Sequence, residues 1–232
     1  MNGNFFLNNF TKTKIGIMVF WYYGLFQQTI PQYHNTTIPQ YQYMTFATIL
    51  EIITVLLSLA FLILVIRENI WCWLFGILSS AISIYLMWNI KLYSEAVLYF
   101  FYVLFGMYGW YVWANPKEGK EVQISKWGTS KHLVVIGIGI LGAIGLGCIF
   151  KTYTDANKSF VDAHTTIFSF IATYLEAHKY LYTWIYWLIL NAVSIWLYFT
   201  QGLQIYAGLM VVYFVMSGVG FWTWRKKYLE IN

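Results

Sequence analysis

Charged side chains are scarce in this sequence, and the few that occur are unevenly spread. Lys, Arg, Asp and Glu make up 10% of the 232 residues, whereas 59% of the residues are hydrophobic. Soluble domains carry about 25% charged residues. No charge at all occurs within residues 69–90, 133–150 and 180–224. Uncharged apolar runs of 18 or more residues are typical of transmembrane helices, so this composition excludes a soluble globule.

Cysteine is also rare, and the usual catalytic motifs are missing. Cys72 and Cys148 both fall inside predicted spans, where we expect ordinary buried thiols rather than a disulfide. We find no nucleophile–base motif, phosphate-binding loop or metal-ligand spacing. The sequence therefore predicts neither an enzyme nor a cofactor or metal site.

The apolar runs predict an all-α integral membrane protein with about seven transmembrane helices. The predicted spans lie at about residues 43–66, 70–90, 93–114, 132–150, 160–178, 181–200 and 203–224. An earlier apolar segment, 15–30, is shorter and is followed by Pro31 and Pro39. It either lies in the membrane interface or forms an extra, short span.

The basic residues predict the orientation. Nine Lys and Arg follow the first, third, fifth and seventh spans, against three on the opposite side. By the positive-inside rule, the C-terminus is cytoplasmic. Lys12 and Lys14 agree with this only if the first segment also crosses. Because the basic residues sit at helix ends, the net charge of +5 does not indicate a nucleic-acid partner.

The chain contains an internal repeat with an offset of 111 residues. Residues 51–113 align with 162–224 without a gap, and the matches include rare residues: Trp73 with Trp184, Gly109 with Gly220, Trp113 with Trp224. Two parallel three-helix repeats joined by one linker helix, 3+1+3, follow from this alignment. The predicted parts are an N-terminal segment 1–42, a first repeat 43–114, a cytoplasmic loop and linker helix 115–150, a second repeat 151–225 and a cytoplasmic tail 226–232.

Small residues mark the linker helix. It contains Gly137, Gly139, Gly142, Gly145 and Gly147. Glycine lets neighbouring helix backbones approach closely in a membrane. We therefore expect this helix to serve packing.

Polar and aromatic residues share stripes on four of the predicted spans, at helical spacing. The candidate substrate-binding residues from these stripes are Trp73, Ser83, Tyr99, Tyr102, Trp184, Trp187, Asn191, Ser194, Tyr198 and Tyr213. Flat rings suit a flat or cationic ligand, and a buried amide such as that of Asn191 needs a partner that a substrate could supply. The alternative is that these rings form interfacial belts and these polar groups join helices. We expect the belt role for Trp113, Trp222 and Trp224.

Few titratable residues fall in the spans. Glu51 and Asp162 are equivalent in the repeat, which favours a shared structural role for them. His164 and His178 lie near helix ends and are expected at the interface. With Glu95 as the one other acid considered, no chain of titratable groups crosses the bilayer. We therefore expect transport driven by the substrate gradient alone.

Four short motifs suggest a family. The stretches 92–95 (LYSE) and 108–113 (YGWYVW), the pair Asp162-Ala163, and Trp184-x-x-Trp187-x-x-x-Asn191 resemble the PnuC family of bacterial nicotinamide riboside transporters. The resemblance covers about residues 45–225. It implies a 3+1+3 fold related to the SWEET sugar transporters, facilitated diffusion of an NAD precursor that is trapped inside by phosphorylation, and assembly as a homotrimer.

The sequence departs from this family at two positions. Asn191 stands where the family often has Asp, and Tyr99 where it commonly has Gln. Nicotinamide riboside offers a cationic ring, a carboxamide and hydroxyl groups, which aromatic faces and an amide suit. A transporter of another B vitamin, thiamine or riboflavin, or of a sugar, stays open as an alternative, as does a non-transporting membrane scaffold. The expected partners are the small-molecule substrate and membrane lipids.

Overall fold

A computed structural model of the chain describes residues 40–89, 93–116, 122–153, 159–200 and 204–231. These residues form seven α-helices, which we number α1 to α7 in chain order. They are α1 (Gln40–Ile66), α2 (Trp71–Asn89), α3 (Tyr93–Ala114), α4 (Thr129–Tyr153), α5 (Ser159–Ala177), α6 (Thr183–Thr200) and α7 (Gln204–Ile231). The predicted segment at 15–30, with Lys12 and Lys14, lies outside the described residues.

The helix bounds agree with the predicted spans to within three residues, with one exception at the C-terminal end. α7 continues to Ile231 and so includes most of the predicted tail. The helix therefore extends seven residues beyond the predicted end of the last span. The reason is local, because Arg225, Lys226, Lys227 and the residues after them contain no Gly or Pro and favour a helix.

Six of the seven described helices are long and apolar enough to cross a membrane. The exception is α5, which carries Asp162, His164 and Glu176 and is correspondingly less apolar. α5 packs against α4 on one side and α6 on the other, so much of its surface contacts protein. The chain is thus a multi-pass membrane protein.

The outward-facing side chains of the helices include many large apolar ones, as contact with lipid requires. Leu141 is 72% exposed, Phe199 70% and Leu133 65%. Such a surface would be unstable in water, because burial of apolar groups is the main force that folds soluble proteins. Surrounded by hydrocarbon, the same side chains carry no penalty.

The described residues divide into two compact units, one up to Trp110 and one from Tyr111 onwards. In the first unit α1 packs on α2, and the hydroxyl groups of Ser58 and Ser79 are hydrogen-bonded at 2.7 Å. Gly106 and Gly109 lie against side chains of α2. In the second unit α4 packs on α5, α5 on α6, and α6 on α7.

The linker helix α4 contacts α5 through small residues, as predicted. A methyl group at Gly139 would lie 2.8 Å from Ile171, and one at Gly147 would lie 2.5 Å from Phe160. Ala143, between these glycines, is fully buried. The expectation is confirmed for these two positions, whereas Gly137 and Gly145 have open space around them.

The two cysteines have different surroundings. Cys72 is a buried free thiol, as expected, but Cys148 is free and exposed. The prediction of a buried thiol at 148 is wrong, because the buried face of α4 runs through Gly139, Ala143 and Gly147, four residues apart, and residue 148 lies beside it.

Both units contain the same turn between two helices. Glu68 follows α1 with φ 56°, and Lys179 follows α5 with φ 50°. Each donates its backbone N–H to the carbonyl three residues earlier, at 3.0 Å in both turns, and the next residue donates to the carbonyl five residues before it, at 2.9 Å in both. This is the hydrogen-bond pattern of a Schellman cap. The two turns lie 111 positions apart, which is the offset of the sequence repeat.

Candidate functional site

In each unit a tryptophan is wedged against a glycine of the next helix in the chain. In the second unit, Trp184 on α6 is 0% exposed, and a methyl group at Gly220 of α7 would lie 2.6 Å from its ring carbons. In the first unit Trp73 on α2 is 1% exposed, and a methyl group at Gly109 of α3 would lie 2.5 Å from its ring. Only glycine leaves room for the indole in each place. Trp184 was predicted to stack on a ligand, but its ring is covered by protein.

Trp224 corrects an expectation of the sequence analysis. It was predicted to lie in an interfacial belt, but it is 0% exposed and packs edge-on against Trp184, with ring centroids 5.2 Å apart. The prediction is wrong because Ser217, Gly220 and Trp224 share the inward face of α7 at spacings of three and four residues. Trp222, on another face, is 68% exposed, as expected for a belt residue.

Trp113 also has a specific contact instead of a general place at the membrane edge. Its Nε1 donates a hydrogen bond to the backbone carbonyl of Ala177 at 2.8 Å. The Nζ of Lys179 lies 4.5 Å above the ring, a cation–π distance. Trp113 thus attaches the end of α3 to the turn that follows α5.

Asn191 has a protein partner. Its side chain is 8% exposed, and its Nδ2 donates to the hydroxyl oxygen of Ser217 on α7 at 3.2 Å. The Ser217 hydroxyl in turn donates to the backbone carbonyl of Tyr213 at 2.8 Å. This chain of hydrogen bonds joins α6 to α7 and gives the amide one partner within the protein.

Trp187 is held by a residue that sequence reasoning missed. Its indole hydrogen-bonds the carboxyl group of Glu176, at the end of α5. Glu176 is 1% exposed, and its Oε2 is buried with no hydrogen-bond partner among the described residues. The repeat could have pointed to Glu176, because this residue is equivalent to Val65 in the alignment of the two repeats. Val65 is an apolar, fully buried residue of the first unit. Glu176 is thus a further acidic residue in the predicted spans, in addition to Glu51, Glu95 and Asp162.

The ten predicted residues fall into two groups by burial. Trp187, Ser194, Tyr213, Tyr99 and Tyr102 are partly exposed, whereas Trp73, Ser83, Trp184, Asn191 and Tyr198 are buried. The rings of Tyr99 and Tyr102 are neighbours on α3, with centroids 6.2 Å apart. Ser83 donates its hydroxyl to the carbonyl of Ser79 in its own helix, at 3.0 Å.

Within the second unit the predicted residues form one assembly on α6. Trp184 and Asn191 face α7, and Trp187 is bonded to α5. The assembly combines indole rings, an amide and hydroxyl groups, which are the kinds of group that line ligand pockets and orient ligands in them. Among the described residues, no group of three or more His, Cys, Asp or Glu is placed to hold a metal ion.

Comparisons with known proteins find similar sequences among curated transporters. The chain is 22% identical over 161 residues to the nicotinamide riboside transporter PnuC of Escherichia coli, covering 58% of this chain and 67% of that protein. It is 24% identical over 181 residues to the riboflavin/roseoflavin transporter RibM of Streptomyces davaonensis, covering 75% of this chain and 82% of that protein. These relatives are named as transporters and not as enzymes.

The fold is also similar to that of a solved structure. The crystal structure of the vitamin B3 transporter PnuC superposes with a TM-score of 0.61 at 20% identity, covering 85% of this chain and 94% of that one. The nicotinamide mononucleotide transporter family matches residues 48–226, most of the chain. This protein therefore belongs to the nicotinamide mononucleotide transporter family.

Proposed function

We propose that this protein mediates facilitated diffusion of nicotinamide riboside, an NAD precursor, across the cell inner membrane. The observation that carries the proposal is the family match over residues 48–226. It is supported by a relative named as a nicotinamide riboside transporter and by the aromatic and amide groups of α6. A cationic pyridinium can stack on such rings with a moderate energy of about 0.5–2 kcal/mol per ring, which permits release as well as binding.

The proposed architecture is two parallel three-helix repeats, 43–114 and 151–225, joined by the linker helix α4. Two pairs of equivalent contacts support it: Trp73 with Gly109, and Trp184 with Gly220. The matching turns at Glu68 and Lys179 support it as well. By the positive-inside count, we place the C-terminus in the cytoplasm. Assembly as a homotrimer is what the family resemblance implies.

The burial pattern suggests how the proposed site residues divide their work. Trp187, Ser194 and Tyr213 are partly exposed, and we assign them direct contact with the substrate. In the first unit Tyr99 and Tyr102 are partly exposed as well, and they stay candidates for substrate contact. The buried residues pack behind the contact residues and hold them in position. These buried residues are Trp73, Ser83, Trp184, Asn191 and Tyr198. An indole wedged on a glycine has little freedom, and rigid support of this kind lowers the entropy cost of binding.

The test is uptake of labelled nicotinamide riboside into liposomes that contain only this protein. We expect saturable uptake that stops when the inside and outside concentrations are equal. Liposomes with the exposed-ring variant Trp222→Phe should behave like the parent, and protein-free liposomes give the background. Absence of both uptake and binding by the purified parent protein would exclude this function.

Transport of riboflavin is the second candidate, because the relative RibM is covered to 82% by this chain. Competition for uptake distinguishes nicotinamide riboside from riboflavin, because an excess of the preferred vitamin blocks uptake of the other. The same liposomes test the energy source. If an imposed proton or sodium gradient concentrated the substrate above equilibrium, the facilitated mechanism would be wrong.

A further inference from the structure

A long groove lies on the side of α6 that faces away from the proposed substrate residues. It has a volume of about 830 Å³ and is bounded by α4, α5 and α6, all within the second unit. Clefts of about 300–1,000 Å³ are typical of ligand sites. None of its lining residues is Lys, Arg, Asp or Glu, and the lining does not include Trp184, Trp187 or Asn191. The groove is thus a separate feature from the candidate substrate site.

One end of the groove is aromatic and polar. Here His132, in the first turn of α4, lies 5.6 Å from the ring of Trp127 and 5.3 Å from that of Tyr182. Its Nδ1 is 3.1 Å from the hydroxyl of Tyr186, and its Nε2 is buried with no partner among the described residues. When the Tyr186 hydroxyl donates to Nδ1, the neutral ring carries its proton on Nε2. Nε2, on a residue that lines the groove, is then a hydrogen-bond donor that has no acceptor among the described residues.

The rest of the groove is mainly apolar, lined by Ile136, Phe168, Ile189, Leu190 and Val193. Two polar residues of α5, His164 and Thr165, also line it, and each is hydrogen-bonded to a backbone carbonyl of its own helix. Along α6 it extends from Tyr182 to Val193, about 16 Å at the helical rise per residue. The groove therefore changes along its length from an aromatic and polar end to a mainly apolar part, as an amphiphilic ligand does.

The charges beside the polar end favour an anionic ligand. Lys126 and Lys131 are exposed and directly adjoin Trp127 and His132 in the chain. Positive residues at the membrane surface attract anionic lipid headgroups. A helix of a second copy is a poorer occupant, because its backbone carbonyls are already hydrogen-bonded and offer no free acceptor to His132.

We propose that this groove binds one anionic phospholipid, with its acyl chain along α6 and its phosphate or ester oxygens at Trp127 and His132. The lipid supplies the acceptor that Nε2 needs and covers the apolar wall between α4 and α6. This inference goes beyond the proposed transport function and does not depend on the identity of the transported vitamin.

The test is native mass spectrometry of the purified full-length protein with phosphatidylglycerol and phosphatidylcholine of identical chains. The parent should retain one lipid per chain, with phosphatidylglycerol preferred. Val193→Trp fills the apolar part of the groove and should weaken retention at least tenfold. Val134→Trp is the matched control, because Val134 is 61% exposed on α4 and does not line the groove. His132→Phe keeps a ring but removes the donor, and should reduce the preference for phosphatidylglycerol about threefold.

Several outcomes would overturn the proposal. Equal retention by Val193→Trp and Val134→Trp would show that the lipid lies elsewhere. A smaller assembly for Val193→Trp, with lipid retention unchanged, would make the groove an interface between copies. Displacement of the lipid by excess nicotinamide riboside would assign the groove to the substrate. Should Val193→Trp fail to fold, Ile189→Trp on the same wall carries the same comparison.

Discussion

The indole of Trp187 is hydrogen-bonded to the carboxyl group of Glu176, which is buried at the end of the preceding helix. At the equivalent place in the first unit, Val65 is apolar and fully buried. The carboxyl group is therefore a polar exception at a buried position of the repeat. Since Trp187 is one of the proposed contact residues, its orientation toward a substrate depends on an acceptor at residue 176.

We expect Glu176→Gln to bind nicotinamide riboside within about twofold of the parent, because the Gln carbonyl still accepts from the indole. Glu176→Leu removes the acceptor. A buried hydrogen bond contributes about 1 kcal/mol, so this variant should bind about fivefold more weakly. Calorimetric titration of the purified variants measures both affinities, and thermal unfolding in the same detergent shows that each is folded.

A double-mutant cycle separates this role from a general loss of structure. Trp187→Phe removes the donor, and in the Glu176→Leu background it should cost little further affinity from the hydrogen bond. Fully additive losses would mean that the two side chains act independently, against the positioning role. Equal affinities of Glu176→Leu and the parent would lead to the same conclusion.

The close contact between Gly220 and Trp184 makes a prediction about stability. In Gly220→Ala the new methyl group would lie 2.6 Å from the indole, so either the ring or α7 must move. Overpacking of this kind costs about 1–3 kcal/mol. Gly218→Ala, on the same helix, meets nothing within 4 Å and should be neutral or up to about 1 kcal/mol stabilising, because Ala favours helices. Thermal unfolding in detergent compares the two.

The equivalent substitution in the first unit extends this test to the repeat. Gly109→Ala should destabilise by a similar amount, because its methyl group would lie 2.5 Å from Trp73. A neutral Gly109→Ala beside a destabilised Gly220→Ala would mean that the two Trp–Gly contacts are not equivalent in energy.

The positions of the helices could largely be predicted from the sequence. The length of each apolar run and the spacing of the repeat determine where the backbone forms helices and turns. The turns at Glu68 and Lys179 lie where the alignment at 111 residues places them. The pairs of Trp and Gly residues matched in the sequence are pairs in contact within each unit. Both features follow from local spacing on helices.

The roles of individual side chains were harder to predict, because they depend on which face of a helix is covered. The repeat pairs Trp113 with Trp224, yet Trp113 bonds to a turn and Trp224 is buried against Trp184. Hydropathy predicted α5 as one of the spans, but it did not predict that the Glu176 side chain is buried. The groove beside His132 depends on the gap between three helices and has no signal in the sequence.

The link between Asn191 and Ser217 predicts a coupled effect on stability. Ser217→Ala leaves the Asn191 amide without its partner and should lower the free energy of unfolding by about 1–2 kcal/mol. Asn191→Leu removes the amide and its need for a partner together, so the double variant should be destabilised by less than the sum of the single ones. Additive losses in thermal unfolding would contradict a direct coupling.

The edge-on contact between Trp184 and Trp224 predicts which tryptophan near the end of α7 is sensitive to change. Trp224→Phe replaces a fully buried indole with a smaller ring. The variant loses the aromatic contact and leaves a cavity, which should lower the free energy of unfolding by about 1–3 kcal/mol. Affinity for nicotinamide riboside should fall with it, because Trp184 loses the neighbour that fixes its ring. Trp222→Phe is the matched control, since the same chemical change at a side chain that is 68% exposed removes no protein packing. Both variants are compared with the parent by thermal unfolding and by titration in one detergent. Equal stability and affinity of the two would mean that Trp224 does not support Trp184, and a larger loss for Trp222→Phe would place the important surface of α7 on its outer side.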